Sequence, residues 1–176
     1  MIKVGGDIEV GKGVAFKQKP LIYRHKNARI IIGENTIINS SNHGYHLNMH
    51  SRCKLYADRE HALIKIGDNC RIHGTCIHAY SNIIIGDNCL IAANTQIIDG
   101  NGHLLLMDSP FNRINSKDDG KPILIEDNVW IGANCIILGG TTIGAGSVIA
   151  AGSVVKGNVP KKSIYGGNPA TLIKKY

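Results

Sequence analysis

The stretch "IEDNVWIGANCIILGGTTIGAGSVIAAGSVV", residues 125–155, places an aliphatic residue at every sixth position: Ile125, Ile131, Ile137, Ile143, Ile149 and Val155. Between successive aliphatics come a glycine or small residue, turn formers such as Asp and Asn, and a small residue two places before the next aliphatic. In a strand, residues two apart face the same side, so the small residue and the aliphatic point inward together. Each unit therefore reads as a short strand followed by a corner. Glycine and Asn/Asp at the corner tolerate a left-handed backbone.

Working outward, the same unit begins at Val10 ("VGKGVA"), Ile32 ("IGENTI"), Ile66 ("IGDNCR") and Ile85 ("IGDNCL"), and recurs at once at Ile72 ("IHGTCI") and Ile91 ("IAANTQ"). Three units of six make one turn, and successive turns pair through parallel ladders, so the repeat predicts an all-β parallel solenoid. About seven coils are expected, with aliphatic corners near 10, 32, 49, 66, 85, 125 and 143. Residues 22–30 and 43–62 fit the period poorly and predict small loops or register shifts. On this fit Cys53, Cys70 and Cys89 form one inward column of small apolar fillers.

Composition agrees. The 176 residues suit one domain, 1–176, and 21 glycines with 5% aromatics favour a turn-rich β architecture. No apolar run approaches the roughly 20 residues that span a bilayer. "MIKVGGDIEV" at the start lacks the apolar region of an export signal, so a soluble cytoplasmic protein without a membrane span is expected. The formal charge of +7 is scattered, which argues against a nucleic-acid surface and suits a small anionic ligand. Five cysteines without C-x-x-C spacing indicate reduced packing residues, not a disulfide or zinc framework.

The pattern breaks once at length. After "IGDNCLIAANTQIIDGNGH" (85–103) the chain leaves the repeat and resumes it at Ile123, giving an excursion over about 99–122 that contains "GNG", Pro110 and "KDDGKP". Long ordered loops in compact domains are usually functional. A short C-terminal segment, about 161–176, ends in "GGNPATLIKK".

These units, the His103 loop, "VWIGAN" and "GGNPATLIKK" resemble the hexapeptide-repeat acyltransferases, in the maltose, galactoside and polysaccharide O-acetyltransferase branch. The resemblance implies a left-handed parallel β-helix, although the general rule for parallel crossovers favours the opposite hand. It implies acetyl-CoA-dependent transfer of an acetyl group to a saccharide hydroxyl of a capsule, a lipopolysaccharide or a small sugar. A homotrimer with active sites between subunits comes with it.

Such a transfer needs a base, because a sugar hydroxyl is a poor nucleophile until its proton is accepted, and histidine suits that task near neutral pH. By the resemblance His103 is the general base, and the Ala133 backbone N–H donates to the developing oxyanion. No Ser or Cys fits a nucleophile motif, so direct attack is expected. Trp130, outward between Val129 and Ile131, becomes a cleft wall near the catalytic histidine or the cofactor arm, or else a surface residue packed on the loop. Ala133, Ala151 and Gly152 match small positions along the CoA groove, and Lys156 and Lys174 match basic positions for its phosphates. Here lysine is followed by Gly157 where the family has threonine then lysine, and Thr171 stands where a second basic residue is usual. On the acceptor side a one-residue slip in "IHGTCIHAYSN" brings His73, His78 and Tyr80 toward the loop's face. Asp99 and Asn101 are candidates for orienting His103 or bonding a sugar hydroxyl, and Arg113 for meeting an acidic sugar from the loop.

No metal is expected on this reading. The competing one is a zinc-dependent, carbonic-anhydrase-like protein in which His73 and His78 supply two ligands, with His61 a possible third. That reading gives the His103 loop and Trp130 no role, and neither does a non-enzymatic scaffold.

Overall fold

The computed structural model describes residues 8–176; the first seven residues of the segment examined for an export signal lie outside the described residues. The chain is nearly all β and visits three parallel sheets in a fixed order. The first tier is β1 (Ile8–Val10), β2 (Ala15–Lys17) and β3 (Leu21–Arg24), and the second β4 (Arg29–Ile32), β5 (Ile37–Asn39) and β6 (Lys54–Ala57). The third is β7 (Leu63–Ile66), β8 (Arg71–His73) and β9 (Cys76–Ala79), and the fourth β10 (Asn82–Ile85), β11 (Leu90–Ile91) and β12 (Gln96–Ile98). After residues 99–122 come β13 (Ile123–Ile125), β14 (Trp130–Ile131) and β15 (Ile136–Leu138), then β16 (Thr142–Ile143), β17 (Val148–Ile149) and β18 (Val154–Val155). A last, partial tier has β19 (Asn158–Val159) and β20 (Ser163–Gly167), and β21 (Ala170–Lys175) turns back antiparallel on β20. Sheet A holds the first strand of each tier, sheet B the second and sheet C the third.

Register follows the inward aliphatics. Ile64, Ile83 and Ile123 are successive partners in sheet A, Ile72, Ile91 and Ile131 in sheet B, and Ile77, Ile97 and Ile137 in sheet C. All nine are essentially fully buried and form the axis of the core. Most connections are corners of a few residues, and they divide the work of "IGDN" between its residues. Asn35, Asn69, Asn88 and Asn128 take the left-handed conformation (φ 54° to 60°). The glycine two places before the first three of these is there for clearance: a Cβ on Gly67 would sit 2.6 Å from the Gly86 carbonyl carbon of the next tier. The acidic residue ties tiers together, since Asp68 accepts the Glu34 N–H, Asp87 that of Asp68 and Asp127 that of Asp87, at 2.7–2.9 Å.

Two expectations change. Met49 is no corner; it lies within a connection over residues 40–53 that leaves the second tier between β5 and β6, and the remaining aliphatic corner is Val159. Cys53 consequently enters sheet C, whereas Cys70 and Cys89 stack in sheet B, where the Cys89 N–H approaches Cys70 Sγ at 3.4 Å. Counting by six across an insertion assigned Cys53 to the wrong sheet. In the C-terminal segment Ser163–Gly167 still belongs to the parallel ladder, and β21 alone reverses, covering what is otherwise an open sheet edge.

Ile97, fully buried between Ile77 and Ile137, should lose about 2–5 kcal/mol of stability on replacement by alanine. Lys65→Ala, at an exposed position of β7, should change stability by less than about 0.5 kcal/mol. Urea denaturation of the two variants measures the contrast, and equal losses would contradict this core.

Candidate active site

The excursion is built from its root. Asp99 is buried, and its carboxylate accepts the Tyr80 and Ser81 N–H groups of the tier below at 2.7 and 2.8 Å. Its carbonyl accepts the Lys121 N–H at 2.6 Å, so one residue joins both ends of the loop. Burial raises the Asp99 carboxyl pKa and the two N–H groups oppose that rise. Gly100 lies against Tyr80, whose ring leaves no room for a side chain there. Asp118 accepts the Asn101 N–H at 2.6 Å and the Gly120 N–H at 3.1 Å, and these bonds hold its pKa below the usual carboxylate value.

On this base His103 is exposed, with Nδ1 3.2 Å from the Ser116 carbonyl oxygen. A carbonyl only accepts, so the bond requires the proton on Nδ1, and in the neutral ring Nε2 then keeps its lone pair. Ser116 Oγ accepts the Leu104 N–H at 2.9 Å and donates to the Arg113 carbonyl at 2.7 Å, which holds the histidine's backbone against the 3-10 helix Pro110–Asn115. Arg113 itself donates to the Leu105 carbonyl and reaches Met107 Sδ. Asp99, Asn101 and Arg113 thus make bonds that shape the loop, and none of those bonds is to His103. Ser116 and Asp118 went unnoticed because their spacing from His103 and Asn101 is set by the loop path, which carries no period.

Trp130 and Ala133 lie on sheet B, at a groove of about 510 Å³. Trp130 is 53% exposed and continues an outward column with Leu90 and Val148. Gly132 lets the tiers close up, since a Cβ there would lie 2.6 Å from the Ala151 nitrogen. The Ala133 carbonyl accepts the Gly152 N–H at 2.8 Å, while its own N–H has no partner among the described residues. Ala151 also lines the groove; Gly152 and Lys156 are exposed nearby in sequence, and Lys174 lies on β21 with Nζ 4.3 Å from the Tyr176 ring. Within one chain no residue of 99–122 lines this groove. Its opposite wall is Tyr45, His46 and Leu47 from the 40–53 connection, which sequence reading passed over as a poor fit to the repeat.

The acceptor-side histidines separate. His78, on β9, stacks on Tyr56 (4.5 Å between ring centres), approaches Tyr80 (4.7 Å) and lies 3.5 Å from Asp58 through Nε2. His73, on β8, instead stacks on Tyr45 at the sheet B groove (4.3 Å). The expectation that His73 shares the loop's face is therefore corrected, because the Gly74–Thr75 corner turns the chain from sheet B to sheet C between the two imidazoles. The same corner removes the spacing argument for a zinc pair. His61, exposed at φ 64°, touches neither, and no three potential ligands cluster among the described residues. Burial lowers both imidazole pKa values, His73 to about 4, with Asp58 opposing the shift at His78.

Comparison with known proteins agrees with this architecture. Residues 122–157 match the family model for bacterial transferase hexapeptide (six repeats), and residues 63–98 that for the hexapeptide repeat of succinyl-transferase. A protein of Escherichia coli K12 named as a lipopolysaccharide biosynthesis O-acetyl transferase, WbbJ, is 31% identical over 159 residues, 86% of this chain and 81% of the relative. Galactoside O-acetyltransferase of Lactococcus lactis is 33% identical over 63% of this chain, which spans 62% of that relative's length. A hexapeptide-repeat-containing acetyltransferase of Vibrio cholerae, solved with acetyl coenzyme A, superposes with a TM-score of 0.58 at 28% identity, covering 93% of this chain and 71% of the other. The tiers, the repeat and a match running through most of both chains have one conclusion: the chain belongs to the hexapeptide-repeat acyltransferase family.

Proposed function

We propose that the protein is an acetyl-CoA-dependent O-acetyltransferase acting on a saccharide hydroxyl, in one left-handed parallel β-helical domain of residues 1–176, working in the cytoplasm on capsule, lipopolysaccharide or small-sugar acceptors. The observation that carries this reading is His103, held through Nδ1 by a carbonyl so that Nε2 is free to accept a proton. The acceptor oxygen attacks the thioester carbonyl carbon while its proton passes to Nε2. Ala133 N–H donates to the oxygen that gains charge. The carbon–sulfur bond then breaks, and the Nε2 proton leaves with the CoA thiolate. The small residues Gly132, Ala133 and Ala151 suit the groove to a pantetheine arm, since they let it reach the backbone. Lys156 and Lys174 are assigned to the phosphates, with Gly152 beside the arm and Trp130 as its wall.

In this proposal the working unit is a homotrimer. His103 is absent from the lining of the Ala133 groove, so a site containing both draws them from two copies. The loop carries Leu105, Met107, Phe111 and Ile114, each more than 60% exposed, and the groove offers Leu90 and Trp130 as apolar partners. Cyclic packing covers these surfaces three times over. WbbJ and the galactoside enzyme support the saccharide hydroxyl as acceptor, and the Vibrio complex supports the donor. No helix among the described residues is long and apolar enough to cross a membrane.

Thiol release from acetyl-CoA with a panel of sugars tests the activity, and no release above background with any acceptor, together with no CoA binding by calorimetry, would sink it. His103→Ala should lower turnover by about two to four orders of magnitude with little change in CoA affinity. Light scattering should give a trimer. Mixing His103→Ala chains with Ala151→Trp chains should restore part of the activity each lacks, and no recovery despite subunit exchange would place a complete site in each chain.

A further inference from the structure

The lower end of the sheet B groove holds His73, whose imidazole is bonded in the opposite sense to that of His103. Ser41 N–H donates to Asn39 Oδ1 at 3.0 Å, which turns the amide's Nδ2 toward His73 Nδ1 at 3.1 Å. An amide nitrogen only donates, so Nδ1 accepts and the proton resides on Nε2. The ring is therefore neutral, and Nε2–H has no partner among the described residues. Burial, together with the charges of Lys17 and Arg71, disfavours a second proton. Tyr45 holds the ring face at 4.3 Å with an interplanar angle of 14°.

The wall that carries Tyr45 is well anchored. His50 N–H donates to Asn94 Oδ1 at 2.9 Å, and Asn94 Nδ2 to the Asn48 carbonyl at 3.0 Å, so the 40–53 connection is pinned to the fourth tier. Met49, buried, fills the space that a side chain on Gly74 would need. Because Ile72, Ile91 and Ile131 are successive partners, His73 stands two tiers from Gly132 and Ala133, roughly 10 Å at the usual strand spacing. A sugar residue with its substituents can bridge that distance. Arg71 lines the groove beside His73, and no Asp or Glu does.

From this geometry we infer that the lower groove is the acceptor subsite and takes an acidic saccharide, His73 Nε2–H and Arg71 holding its carboxylate while Tyr45 packs the ring. The inference rests on the acyltransferase reading for its reaction, but binding at His73 can be observed without turnover. A hydrogen bond to a charged oxygen contributes more than one to a neutral group, so the preference should be large.

Methyl galacturonide and methyl galactoside serve as matched probes, with the full-length protein and acetyl-CoA. The uronide should show a KM about tenfold or more below that of the neutral glycoside. His73→Phe, which keeps an aromatic ring but no donor, should raise the uronide KM by about ten- to hundredfold and leave the KM for acetyl-CoA in place. His73→Gln, whose amide can reach the Nε2 position, should recover much of the loss, as a purely packing role would not allow. In parallel, the His73 15Nε2 resonance of the wild-type protein should shift on titration with the uronide alone. Equal KM values for the two glycosides, an unchanged KM in His73→Phe, or a resonance unmoved at saturating uronide would each overturn the inference. Should the wild-type protein release no thiol with any acceptor, the acyltransferase reading fails separately, and the resonance by itself upholds or overturns the subsite.

Discussion

Every turn of this chain must come back over the turn before it, close enough for backbone N–H and C=O groups to pair along three parallel sheets. That constraint selects the residues. Stacked isoleucines fill the axis, because an inward position in one tier rests on the same position in the next. Corners need a residue that accepts a left-handed backbone, and asparagine supplies it. They also need clearance between tiers, which glycine provides, and a bond across tiers, which aspartate makes. A structure of such short strands gains little from any single one; its cohesion is the sum over neighbouring tiers.

The ladder is interrupted at two places, and the proposed chemistry is drawn from them. Residues 99–122 leave the stack through Asp99, whose buried carboxylate replaces the backbone partners that a continuing strand would have supplied. Residues 40–53 leave from the second tier and lie over sheet B, held by Asn94. Each excursion is tied to the stacked tiers by side chains whose hydrogen bonds go to backbone, and each brings a histidine or its support to the surface.

The two histidines differ through their partners. His103 faces a carbonyl and so offers a lone pair at Nε2; His73 faces an amide nitrogen and so offers a proton there. The same side chain becomes an acceptor in one place and a donor in the other, with no difference in the imidazole itself. In the proposed function the first serves as a base, and in the inferred subsite the second serves as a binding donor.

The period of six, read from Ile125 to Val155 and traced back to Val10, determined the parallel tiers, the inward isoleucines and the location of the break before His103. These were legible because side-chain direction in a strand depends only on spacing along the chain. Spacing lost its force wherever residues were inserted or removed. Cys53 could not be assigned to a sheet across the 40–53 connection, and His73 and His78, five apart, fall on different sheets because one corner lies between them. The roles of Asp99, Ser116 and Asp118 as loop builders, the wall made by Tyr45, and the opposite proton positions on His103 and His73 were decided by tertiary structure alone. Each depends on a hydrogen-bond partner brought near by the path of a loop, and that path has no repeating pattern from which to read it.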